Sequence, residues 1–133
     1  MELSSLALSV DLALLSTADG GRRKPLAPNG YVAFQYRPNW RPAKFEGEEQ
    51  FGAPVLCFGT TPVEPGDRTR AVIVPAAEVS LPVWHTVRPE QRLEMFEGRS
   101  VLGVATVLRV DEIELPLSDD AVAAFQGWCL PET

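Results

Sequence analysis

Apolar residues in this 133-residue chain come in short runs, interrupted by twelve prolines and ten glycines that are scattered rather than blocked. Runs that brief are too short for most helices and about right for strands, so the pattern predicts a mostly β chain. SVDLALLS sets Val10, Leu12 and Leu14 on one face and Asp11, Ala13 and Leu15 on the other, the period of two of a half-buried strand. GYVAFQYR, APVLCFG and TRAVIVP are three further extended runs. The last follows Pro65-Gly66-Asp67, where proline presets φ and glycine takes a positive one. RLEMF and RSVLGVATVLRV flank Glu97-Gly98, which predicts a tight hairpin. In the second arm Leu102, Val104, Leu108 and Val110 share one face and Val101, Gly103, Ala105 and Val107 the other. Both faces are apolar or small, as in a strand covered on both sides. The segment 39–51, NWRPAKFEGEEQF, is expected as the longest irregular loop.

Six strands of this kind, joined by turn-rich connections, predict an antiparallel closed β-barrel, which leaves no exposed sheet edge. The tail follows another pattern. In LSDDAVAAFQGWCLPET, Ser118 is a helix N-cap, Asp119 and Asp120 fall in the first turn where the helix dipole favours anions, and Val122, Phe125 and Trp128 share a face before Pro131 stops the helix. Residues 1–115 are therefore read as one barrel domain and 116–133 as a short helical tail packed on it.

Charge changes the picture more than composition does. The formal net charge is −6, which disfavours non-specific attraction to nucleic acid. Yet residues 20–44 hold Arg22, Arg23, Lys24, Arg37, Arg41 and Lys44 with no acid, interleaved with Tyr31, Phe34, Tyr36 and Trp40. Residues 110–133 hold Asp111, Glu112, Glu114, Asp119, Asp120 and Glu132 with no base. The opening residues carry Glu2 and Asp11 within the apolar run, unlike a secretory signal, and no apolar run is long enough to span a membrane. Cys57 and Cys129 lack CxxC spacing and are read as thiols of a reducing cytoplasm, with one disulfide as the alternative.

Three pieces, taken together, resemble the C-terminal β-barrel, domain 3, of the elongation factor Tu family. They are Asp19-Gly20-Gly21-Arg22 with Pro25 and Gly30-Tyr31; Pro65-Gly66-Asp67; and Glu97-Gly98 with Leu102-Gly103. Order and spacing agree over about residues 11–110. The resemblance implies a six-stranded barrel without the GTPase domain, and no GxxxxGK[ST] loop for a nucleotide occurs. In that family the barrel helps hold aminoacyl-tRNA. The family's contact residues are replaced here by Val32-Ala33, Phe96 and Arg99-Ser100, and a guanidinium moved by one residue on a strand changes face. Transfer RNA binding is therefore not carried over.

No catalytic constellation emerges. His85 is the sole histidine and cannot form a two-histidine metal site. Cys57 sits in an apolar strand that raises its pKa. The pairs Glu48-Glu49 and Asp119-Asp120 are adjacent residues whose side chains do not converge. No metal, cofactor or nucleotide is expected. The basic and aromatic segment is the candidate surface, with Arg22, Arg23, Lys24, Arg37, Trp40 and Arg41 as partner-binding residues, because arginine and aromatics anchor interfaces. The expected function is a non-catalytic module docking a protein partner, in an immunity, antitoxin-type or translation-associated role. The alternative is RNA or tRNA binding through residues 20–44.

Overall fold

The computed structural model describes residues 3–28, 36–43, 45–75 and 81–130. Seven antiparallel strands form one curled, half-barrel sheet. They are β1 (Leu3–Leu14), β2 (Asn39–Pro42), β3 (Phe51–Gly52), β4 (Val55–Leu56), β5 (Arg68–Ile73), β6 (Arg92–Glu97) and β7 (Ser100–Leu115). Two helices are described: a single turn, α1 (Leu81–Trp84), and α2 (Asp119–Cys129). The strand order is β3-β2-β6-β7-β1-β5-β4. The strands at the two ends of that order, β3 and β4, are separated in the chain only by Ala53 and Pro54, so the sheet curls until its margins lie one dipeptide apart. Backbone hydrogen bonds continue past the strand ends: Ala53 N–H donates to Pro38 O at 3.2 Å, Val55 N–H to Tyr36 O at 3.1 Å and Val74 N–H to Pro54 O at 3.0 Å. No helix among the described residues is long and apolar enough to cross a membrane.

Alternation along β1 fills the concave side. Leu6, Leu8, Val10, Leu12 and Leu14 are buried against Ala71, Ile73, Leu93, Met95, Ala105 and Val107 from neighbouring strands, and Trp84 and Val87, from α1 and the residues after it, join the same cluster. The convex side is covered where α2 lies. Ala7, Leu56, Val72, Val74, Leu115 and Leu117 pack with Phe125 and Cys129 in a second cluster. Ala7 and Ser9 on the convex side of β1 are both fully buried. Ser118 begins α2, its hydroxyl accepting from Ala121 N–H at 3.1 Å, and Asp119 and Asp120 occupy the first turn.

Curling depends on two bulges in β7. Against β6 the pairing steps from Met95↔Gly103 to Phe96↔Val101, leaving Leu102 without an opposite residue. Against β1 it steps from Ser9↔Arg109 to Val10↔Val107, leaving out Leu108. Each bulge bends the strand and resets the period of two. The expected faces of this arm are therefore reordered: Leu102 joins Ala105 and Val107 in the core, Val104 is half-buried and Leu108 is 47% exposed.

The strand count also differs from expectation. The run 53–59 is not one strand, because Pro54 has no N–H to give to a ladder and divides β3 from β4. The expected loop 39–51 begins instead with β2, which pairs with β6 from Asn39↔Phe96 to Pro42↔Leu93. The hairpin turn is Gly98-Arg99 rather than Glu97-Gly98, since Glu97 pairs with Ser100. Gly98, at φ 61°, holds the first turn position, where a two-residue hairpin needs a positive φ. Most of the run 30–37 lies outside the described residues.

Candidate functional site

The cationic segment begins in a loop that hydrogen bonds hold rigidly. After β1, a single 3-10 turn covers Thr17–Asp19, with Ser16 accepting from Asp19 N–H and Gly20 ending it at φ 91°. Gly21 then passes so close to β1's end that a Cβ there would lie 2.1 Å from Leu15 O; only glycine fits. Thr17 Oγ1 donates to Arg22 O at 2.6 Å. Further on, Leu26 is buried and pairs with Val63 through backbone bonds of 2.8 and 2.9 Å. The loop is thus tied down on both sides of Arg22, Arg23 and Lys24.

Arg22 is fixed in turn. Its Nε donates to Lys24 O at 3.2 Å, and its Nη1 donates to Tyr36 Oη at 3.1 Å and to Glu97 Oε2 at 2.8 Å. The guanidinium lies 5.2 Å from the centre of the Tyr36 ring, and the side chain is 19% exposed. Burial pushes the Tyr36 phenol up to about 12; the Glu97 charge adds to the rise and Arg22 opposes it. Arg23 and Lys24 are exposed. Together with Gly20, Gly21, Glu97, Ser100 and Leu102, these three basic residues line a depression of about 420 Å³ beside the β6–β7 hairpin. No protein-family model and no curated protein matches the chain.

The other predicted residues disperse. Arg37 is exposed. Arg41 lies on the convex side of β2, 4.7 Å from the Phe96 ring centre and 3.6 Å from Glu94. Trp40 is a correction: it is fully buried in β2, its Nε1 donating to Ala53 O at 3.0 Å. Its ring fills the core and offers no surface to a partner. Tyr31, Phe34 and Lys44 lie outside the described residues. Glu97, Tyr36 and Ser100 were not among the expected partner-binding residues, although they complete the site. Glu97 is 75 positions from Arg22, and only the strand pairing brings the two together.

Arg22 and Arg41 take their carboxylates from β6, not from the acidic tail. The first tail acid, Asp111, pairs with Arg109 and lies roughly 35 Å along β7 from Ser100 at strand rise. Neither of the ion pairs of Arg22 and Arg41 joins the cationic segment to the acidic tail. Neither cysteine is disulfide-bonded. Desolvation raises the Cys57 thiol to about 12, and burial together with nearby Cys57 raises Cys129 to about 12 against a smaller opposing pull from Arg70. Buried thiols held protonated are poor nucleophiles. His85 is exposed, and its carbonyl accepts from Arg88 Nη1 at 2.6 Å. No group of three or more metal-binding side chains occurs among the described residues.

Proposed function

We propose that this chain is a non-catalytic binding module whose sheet closes as a six-stave barrel similar to domain 3 of elongation factor Tu. It docks a protein partner through the rim formed by Arg22, Arg23 and Lys24. The closed form is supported by the dipeptide link between β3 and β4: residues 51–56 act as one bent stave, bonded to residues 36–40 on one side and to β5 on the other. The docking reading rests on one observation, the preorganised Arg22 flanked by exposed Arg23 and Lys24 at a depression. A cation already held in place loses little freedom on binding. A barrel of this kind would occupy surfaces that meet a translation factor, which is the sense of the immunity, antitoxin-type or translation-associated role.

RNA is the weaker reading. Single strands are held by bases stacked on aromatic rings, but of the segment's aromatics among the described residues Trp40 is in the core and Tyr36 lies under Arg22. The test is affinity capture from the source cell with wild type and with an Arg23→Glu/Lys24→Glu variant, alongside tRNA binding over a salt series. We expect one or more proteins retained by wild type and reduced about tenfold by the double reversal, with unchanged thermal stability. Equal recovery by both forms, or specific tRNA binding that the reversal abolishes, would overturn the reading.

A further inference from the structure

We infer that the rim depression takes an acidic peptide segment of the partner, with side-chain carboxylates on Arg22, Arg23 and Lys24. This rests on the docking reading above and names the chemistry of what docks.

Four observations favour a peptide over other anions. The first is the fork of Arg22. Its Nε and Nη1 are committed to Lys24 O, Tyr36 and Glu97, while no hydrogen bond of Nη2 is seen among the described residues. With the Nε and Nη1 hydrogens engaged, the guanidinium is held in one orientation on the wall of the depression, and a partner's carboxylate meets its fixed charge through Nη2. The second is Glu97. A carboxylate lining a cationic depression repels a bare polyanion but accepts hydrogen bonds, and a peptide brings backbone N–H donors together with its acids. Ser100, on the same wall, both donates and accepts.

The third is size and polarity. The depression is about 420 Å³, shallow and open, with Leu102 as the apolar residue of its lining, room for a short segment laid across it and not for a long tract of backbone phosphates. The fourth is the charge of the whole molecule. With a net −6, a polyanion long enough to extend past the rim meets the repulsion of the whole molecule. A compact acidic segment does not.

The experiment titrates the full chain, followed by amide chemical shifts, with three probes: a capped hexapeptide of alternating Asp and Leu, its alternating Lys and Leu counterpart, and unfractionated tRNA. The acidic peptide should shift signals of residues 20–24 and 97–102, and the basic peptide should not. Arg23→Glu/Lys24→Glu should weaken the acidic peptide about tenfold. Arg22→Lys, which keeps the charge and loses the fork, should weaken it several-fold, an effect that bulk attraction alone does not produce. Tighter binding of tRNA at the same signals, or indifference to Arg22→Lys, would overturn the inference. If the captured partner depends on the rim but the acidic peptide does not displace it, the peptide chemistry is wrong and the docking reading stands. If capture ignores the rim, both fall.

Discussion

Of the three arginines seen over aromatic rings, Arg22 and Arg70 lie at opposite kinds of surface. At the rim, Arg22 sits 5.2 Å from the Tyr36 ring centre and is bound to Glu97. At the seam between α2 and the sheet, Arg70 sits 5.0 Å from the Trp128 ring centre, and its Nη1 donates to Trp128 O at 2.9 Å. The seam arginine meets the carbonyl end of a helix, where the dipole favours a cation, and its charge is spent on holding α2 to β5. The rim arginine is neutralised by one carboxylate yet stands beside Arg23 and Lys24, so the rim keeps surplus positive charge. The same pairing serves as a latch in one place and as a fixed anchor for something external in the other. What differs is the apolar cluster underneath: the seam has one of its own, and the rim has a depression.

The largest effect is expected from breaking the seam. Phe125 is 6% exposed and, with Cys129, is one of two buried residues of α2. Phe125→Ala should lower unfolding free energy by about 3 kcal/mol in urea titration, the usual cost of truncating a buried aromatic. Because α2 then lifts more often, Cys129 should react with a thiol reagent well before Cys57. The rim reversal Arg23→Glu/Lys24→Glu should change stability by no more than about 0.5 kcal/mol, as exposed charges do. A large loss at the rim together with a small one at the seam would invert the comparison.

How far the sequence foretold these two regions follows from the range of the forces involved. The seam was readable because its signals are local: Ser118 as cap, two acids in the first turn, and Phe125 on one helical face. Strands β1, β5 and β6 were readable from alternation and from the Pro65-Gly66 turn. Trp40 was misread because Pro38 and Pro42 on either side of it resemble loop punctuation, yet Pro42 closes β2 and the ring between them turns into the core. The bulges at Leu102 and Leu108 have no local signature, and each depends on a partner strand. The cationic cluster was visible in the chain, but Glu97 was read only as a turn residue. Its meeting with Arg22 depends on topology, which a single sequence does not express locally.

A second effect distinguishes the regions through pH. Tyr36 at the rim and Cys129 in the seam are neutral when protonated, and in the folded chain each keeps its proton until about pH 12. Unfolded, the phenol ionises from its ordinary 10.0 and the thiol from 9.0. Between those values the folded chain binds more protons than the unfolded one, so the stabilisation is whole below about pH 9 and is lost as pH rises towards 12. Cys57 behaves in the same way. Urea midpoints should be flat from neutrality to pH 9 and fall above it. Cys129→Ala should lessen the earlier part of the fall, Cys57 keeping the rest, and Tyr36→Phe should remove the later part. A midpoint that declines equally in all three proteins would assign the loss to other groups.

The smallest effects are those of the two arginines, and they test whether latch and anchor differ in kind. An exposed cation over a ring contributes about 0.5 kcal/mol, so Arg70→Ala should cost that much, and a cycle with Trp128→Ala should show coupling of the same size. Arg22 is mostly covered, and removing it leaves Glu97 and the Tyr36 hydroxyl without their common partner. Arg22→Ala should therefore cost about 1 kcal/mol, the upper end for a surface ion pair. The cycle with Glu97→Gln should lose part of its coupling in high salt, because Glu97 is 42% exposed and the pair is partly screened. The Arg70 coupling, directed at a carbonyl and a ring, should move less. Equal salt sensitivity at the two sites would mean that Arg22 is held by charge alone. The rim would then lack the fixed geometry that a directional contact with an acidic segment requires.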